Sequence, residues 1–130
     1  MGISATKIFE FAYAHYLPQY EGNCQRLHGH TGKLEVTVER MSGGYNSEGF
    51  VVDFKHMKEI TEYAVLDKID HQCLNTLTDH PFHDNPTSER LLEWAVLRLQ
   101  REIKRRFGEC VQLKRVKIWE SSTSYVEWTA

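Results

Sequence analysis

What this chain lacks narrows its function before any motif is read. It has no excess of charge: 16 Lys and Arg against 18 Asp and Glu leave a formal net charge of -2, which gives no general electrostatic footprint for nucleic acid or an anionic membrane. It has no apolar run approaching the length of a membrane span, and no signal-peptide core opens it. Cysteines are few. Cys24, Cys73 and Cys110 cannot all pair with one another and none lies in a C-x-x-C motif, which points to free thiols in a reducing, cytoplasmic setting. Cys73 and Cys110 read as buried small hydrophobes, the usual environment of a free cysteine. No linker, low-complexity tract or repeat divides the 130 residues, so one domain over 1–130 is predicted. A chain of that length can bury about two-thirds of its unfolded surface.

What is present has the patterning of an α+β protein. Lys7 to Tyr16 is rich in aromatic and aliphatic groups and reads as a strand, and Lys33 to Glu39 alternates apolar and polar residues as a half-buried second strand. Turn chemistry fills Met41 to Gly49, and Phe50 to Asp53 looks like a short extended return. From Phe54 the period becomes helical, with Met57, Ile60, Tyr63 or Ala64, and Leu66 in step and Asp53 as the N-cap. A second helix is predicted to start at Asn85 as cap with Pro86 in its first position. Its apolar stripe is Leu91, Leu92, Ala95, Leu99 and Ile103, and it ends at Arg105-Arg106 before Gly108. Val111 to Trp119 and Ser124 to Thr129 close the chain as strands. The order ββααββ predicts a four-stranded antiparallel sheet with both helices on one face. Two exposed sheet edges would remain, a liability that oligomerisation often resolves.

The chemistry concentrates in Cys24-Gln-Arg-Leu-His28-Gly-His30, with His15 upstream. Alternate residues of a strand share a face, so His28 and His30 point the same way, and a third imidazole from a neighbouring strand would make three nitrogen ligands. Three protein ligands leave a fourth position open, the pattern of a catalytic zinc site, although other divalent ions fit the same donors. Cys24, not needed as a ligand, is a candidate acid, base or nucleophile. Asp70-His71 has the makings of an orienting pair, but adjacent side chains on a regular element do not meet, so an irregular backbone is required. Glu120, at a strand terminus, could accept bidentately from an amino-pyrimidine edge. Thr87 and Ser88 read first as helix-start residues whose hydroxyls and N–H groups could also hold polar ring atoms. Asp79-His-Pro-Phe-His-Asp84 reads as a solvated connection, and His56 as exposed on the polar face of the first helix.

Together these residues resemble the 6-pyruvoyltetrahydropterin synthase superfamily of the tunnelling fold. The resemblance spans nearly the whole chain: Phe11-Ala-Tyr-Ala-His15, Cys24-x3-His28-Gly-His30, Gly49-Phe-Val-Val-Asp53-Phe54, Leu66-Asp-Lys-Ile-Asp70-His71, Leu74-Asn75, Asn85-Pro-Thr-Ser-Glu89 and Glu120. It implies that His15, His28 and His30 hold zinc, that Cys24 is catalytic, and that Asp70 and His71 complete a proton relay. It further implies that Glu120, with Thr87 and Ser88, anchors a pterin ring, and that the chain assembles as trimers stacked into hexamers.

The three residues between Cys24 and His28 look like the 6-carboxytetrahydropterin synthase branch, which acts in queuosine and related deazapurine biosynthesis; the pyruvoyl branch, which eliminates triphosphate but keeps the side chain, shares every catalytic group named and is the nearest competing enzyme, set apart only by its longer gap. The implied substrate is 7,8-dihydroneopterin triphosphate, with Arg26 and Lys33 as candidate phosphate cations. A variant class carrying a glutamate near this position acts as an aldolase on dihydroneopterin-type compounds, but Glu21 stands at a different spacing from Cys24. A non-catalytic pterin- or zinc-binding module is the alternative of another kind; mere binding needs no thiol beside a relay.

Overall fold

The computed structural model describes residues 2–130. Strand β1 (Ser4–His15) pairs antiparallel with β2 (His28–Arg40) along its full length, from Ser4 opposite Glu39 to His15 opposite His28. A helical stretch follows: α1 (Phe54–Thr61), a π-helical turn (Glu62–Leu66) and α2 (Asp67–Ile69). The wide turn places Ala64, Val65 and Leu66 all inward, which decides the open position in favour of Ala64 and leaves Tyr63 in solvent. Asp53 caps α1 by accepting from the Lys55 N–H at 2.9 Å. Then come β3 (Gln72–Cys73), α3 (Ser88–Phe107), β4 (Val111–Ser121) and β5 (Ser124–Thr129).

The sheet has five strands in the order β3-β1-β2-β4-β5, not four, and it is not wholly antiparallel. The added strand is only Gln72 and Cys73, which pair parallel with Tyr13 and Ala14. Two residues carry no periodicity, and the pairing is made by the return of the chain from α2. The short return at Phe50 to Asp53 is no strand: Val51 and Val52 bury their side chains in the core while Arg40 donates to the Val51 carbonyl at 2.9 Å.

Helix α3 also begins later than expected. Thr87, not Asn85, is its N-cap and accepts from the Arg90 N–H at 3.2 Å. Thr87 is in the extended region that capping demands, whereas Pro86 precedes the helix and turns its carbonyl elsewhere. At the other end Gly108 takes φ 60, a left-handed cap that costs glycine nothing, after Lys104, Arg105 and Arg106.

One face of every long strand packs under the helices. Phe11, Tyr13, Leu34, Val36, Val38, Val116 and Ile118 meet Ile60, Val65, Leu91, Ala95, Leu99 and Ile103 in one core. The sheet's other face carries Thr6, Ile8, Lys33, Glu35 and Lys117, as strict alternation requires. Gly32 lies on the packed face where no side chain fits. A Cβ there would stand 2.7 Å from the Trp119 carbonyl oxygen and 3.3 Å from the Phe11 and Tyr13 rings. Gly32→Ala is therefore expected to destabilise the protein by about 1–3 kcal/mol, the cost of overpacking against backbone. Urea unfolding would read the change, and a wild-type midpoint would show that β4 can yield.

Candidate metal centre

The β1–β2 register assembles the centre. His15 lies opposite His28, and His30 lies one pleat along, opposite Tyr13, all on the helix-facing side. The three histidines present ligating nitrogens within 4.8 Å of one another. Their rings meet edge to face, with centroids 4.6–5.0 Å apart. His15 donates from Nδ1 to the Pro86 carbonyl at 2.8 Å, and His28 from Nδ1 to the Arg26 carbonyl at 2.7 Å. With the proton held on Nδ1, each ring offers its Nε2 lone pair inward, the arrangement that orients imidazoles for a metal.

Burial holds the His15 imidazole below its ordinary pKa, with His28 and His30 pushing the same way against the Pro86 hydrogen bond and the Glu120 charge. His30 is lowered too, by burial first. Both rings are thus kept in the neutral form that binds metals. Three imidazoles in one cluster fit zinc.

Glu120, on β4, brings Oε1 to 3.5 Å from His15 Nε2 and 3.4 Å from His30 Nε2. Tyr13 was passed over in the sequence, although alternation puts it on one face with Phe11 and His15. Its ring stacks on Phe11 at 5.2 Å and meets His15 edge-on at 5.3 Å. Its hydroxyl is pushed far up by burial and by Glu120, and Ser88 opposes that shift, so it is a neutral phenol. The Tyr13 and Ser88 hydroxyls are close enough to influence one another, yet neither has a hydrogen-bond partner. Thr87, its oxygen accepting from Arg90, keeps an O–H to donate.

Asp70 and His71 do meet, through the irregular backbone their contact requires. His71 takes φ 60, rare for a non-glycine residue, and its Nδ1 comes within 3.0 Å of Asp70 Oδ1. The kink is held from both sides of Ala12, whose N–H donates to Asp70 Oδ1 at 3.0 Å and whose carbonyl accepts from the His71 N–H at 2.6 Å. His71 is 81% exposed, so its Nε2 faces outward. Ala12, Ala14, Gly29, His30, His71 and Cys73 line a shallow concavity of about 510 Å³. Asn75 braces the end of β1, accepting from the Tyr16 N–H and donating to the Tyr16 carbonyl.

Cys24 is half-buried on a 3-10 turn (Asn23–Gln25), tied down where the Leu17 N–H donates to the Cys24 carbonyl at 2.8 Å. It stays outside the three-histidine cluster. Arg26 and Lys33 are exposed. Cys73 is only half-buried and Cys110 is exposed, contrary to the expectation for both: Cys73 ends the two-residue edge strand β3 and Cys110 lies in the turn just before β4, where one side stays open. The Asp79–Asp84 segment is a connection but a packed one, with Phe82 buried and His80 against Phe82 and Trp94. His56 is half-buried, its ring 6.5 Å from that of Phe107.

Fold and centre together define an α+β protein with a three-imidazole, metal-competent site. Residues 4–130 match the family model described as 6-pyruvoyl tetrahydropterin synthase, and the chain belongs to that enzyme family. The 6-carboxy-5,6,7,8-tetrahydropterin synthase of Synechocystis is 36% identical over 96 residues, covering 72% of each chain. The dihydroneopterin monophosphate aldolase of Pyrococcus furiosus is 34% identical, covering 92% of this chain and 89% of its own. Among solved structures, the 6-pyruvoyl tetrahydropterin synthase of Caenorhabditis elegans superposes with a TM-score of 0.80 at 21% identity over 98% of this chain and 95% of its own, a likeness of fold. No helix among the described residues is long and apolar enough to cross a membrane.

Proposed function

We propose that the chain is a zinc-dependent 6-carboxy-5,6,7,8-tetrahydropterin synthase, converting 7,8-dihydroneopterin triphosphate to 6-carboxytetrahydropterin, acetaldehyde and triphosphate in the queuosine branch of deazapurine biosynthesis. The observation that carries it is the three-imidazole centre with Cys24 held on a turn four residues before His28. Zinc held by His15, His28 and His30 would supply a Lewis acid for the side-chain hydroxyls of the substrate.

The other roles fall to this chain's own groups. Cys24 as thiolate removes a proton from the first side-chain carbon, with the electrons passing into the ring C=N system. His71, its Nδ1–H held by Asp70, exchanges protons at the side-chain hydroxyls through Nε2. The Glu120 carboxylate accepts from the amino edge of the pterin, and the Thr87 and Ser88 hydroxyls bind its polar ring atoms. Assembly as trimers stacked into hexamers would cover the sheet edges at β3 and β5 and place the exposed His71 of one copy at a neighbour's centre. Three free cysteines suit a cytoplasmic setting.

A second reading has one observation behind it: aldol cleavage of a dihydroneopterin phosphate, the activity named for the Pyrococcus furiosus relative. Retention of Cys24, with Glu21 displaced from it, favours the synthase. Zinc-loaded protein incubated with 7,8-dihydroneopterin triphosphate tests both, with acetaldehyde assayed and the pterin identified by mass spectrometry. Acetaldehyde with a carboxypterin is the expected result. A pyruvoyl product without acetaldehyde would transfer the chain to the pyruvoyl branch, and a hydroxymethylpterin with glycolaldehyde phosphates to the aldolases. No turnover with zinc bound would leave a binding module.

A further inference from the structure

Lys33 stands on the wrong face to serve the histidines of its own chain. Alternation along β2 puts Thr31, Lys33 and Glu35 on the open side of the sheet, whereas His28, His30 and Leu34 point under the helices. On that open side Ile8, Thr31, Lys33, Glu35, Trp119 and Ser122 line a hollow of about 290 Å³. That volume is at the lower end for small-molecule sites, and it suits a bicyclic ring with a short substituent better than one with a triphosphate tail.

The hollow has a fixed aromatic wall. Trp119 is half-buried and donates from Nε1 to Glu35 Oε2. Its ring centroid lies 4.5 Å from that of Tyr125, and Lys117 Nζ is 5.2 Å from the first and 4.1 Å from the second. Neither Tyr125 nor Lys117 borders the hollow, so they brace the indole from behind and leave its other side to a ligand. Ile8, 55% exposed on β1, supplies an apolar neighbour. The charged groups complement one another. Lys33 is exposed and, although Glu10 stands opposite it on β1, pairs with no carboxylate among the described residues. Glu35 gives Oε2 to the indole and keeps Oε1 free to accept. The two residues lie about 6.6 Å apart along the strand, a separation that one bicyclic ring spans.

We propose that this hollow is a second small-molecule site, on the side of the sheet away from the metal centre, for a bicyclic heteroaromatic acid that carries ring N–H or amino donors. The ring lies against Trp119, its carboxylate meets Lys33, and its N–H donors meet Glu35. The site does not depend on the zinc reading above. Pairing of strand edges between copies would extend the sheet and leave this face open.

The test reads Trp119 directly. Among the three tryptophans its indole N–H resonance is identified by its loss in Trp119→Phe. Nitrogen-15-labelled full chain, supplied with zinc, is titrated with pterin-6-carboxylate and in parallel with 2-naphthoate, an aromatic acid of similar size without N–H donors. Far-UV circular dichroism confirms folding of each variant. Pterin-6-carboxylate is expected to move the Trp119 signal saturably, and 2-naphthoate to bind at least about tenfold more weakly. Lys33→Met should weaken pterin-6-carboxylate at least about tenfold, the loss of one hydrogen bond to a charged group, and Lys33→Arg should restore it. Glu120→Gln should leave the Trp119 response in place, because that carboxylate lies on the other face. A silent Trp119 signal, equal binding of the two acids, or undiminished binding in Lys33→Met would overturn the proposal. So would loss of the response in Glu120→Gln, which would make it a relay from the metal centre. None of these readings uses turnover, so failure of this site and failure of the proposed reaction are separate results.

Discussion

Cys24→Ala is expected to lower turnover by about 10²–10⁴-fold, the usual contribution of one positioned acid or base, while zinc stays bound. The two halves of that expectation come from different observations. The loss follows from the proposed chemistry, in which Cys24 is the group that takes a proton from carbon. Retention of metal follows from geometry, because Cys24 lies on its own turn outside the three-histidine cluster. Its backbone contact to Leu17 uses the carbonyl and survives the change of side chain. Steady-state rates and zinc content by atomic absorption would be measured together. Loss of zinc along with rate would make Cys24 a ligand, and an unchanged rate would remove it from the reaction altogether.

The sequence carried most of this site because its parts are local. His28-Gly29-His30 is legible from a period of two, and the second helix's stripe from a period of 3.6; both stand as read. Asp70-His71 was legible as a pair that could meet only off a regular element, and the left-handed backbone at His71 meets that condition. What was missed depends on partners distant in sequence. Strand β3 exists because Ala12 offers its N–H and carbonyl to Asp70 and His71, a dock that two residues of strand pattern cannot announce. The start of α3 slipped to Thr87 because the Pro86 carbonyl serves His15, 71 residues away in the chain. Tyr13 was within reach of the same alternation that found His15. The approach of Glu120 was not, since it follows from the β2–β4 register and from Gly32 having no Cβ.

His15→Ala should have the second large effect, on metal and fold at once, and comparison with His28→Ala separates the two. Both changes remove one of three imidazoles, so both should weaken zinc binding by more than the 10–100-fold that follows loss of an outer-shell partner. Their effects on the apoprotein should differ. His15 is 1% exposed, and its Nδ1 is the partner of the Pro86 carbonyl at 2.8 Å beside α3. Alanine there leaves a cavity in the packed face and an orphaned acceptor, together about 2–5 kcal/mol. His28 is only part-buried and its partner, the Arg26 carbonyl, sits on an exposed residue, so water can replace the lost bond and the cost should stay under about 1 kcal/mol. Urea unfolding of both metal-free variants, with zinc competition on the same samples, decides the matter. Equal destabilisation would mean that the β1–β2 end is uniformly rigid and that His15 has no special place in the core. Wild-type zinc affinity in either variant would show that the three imidazoles do not act as one ligand set.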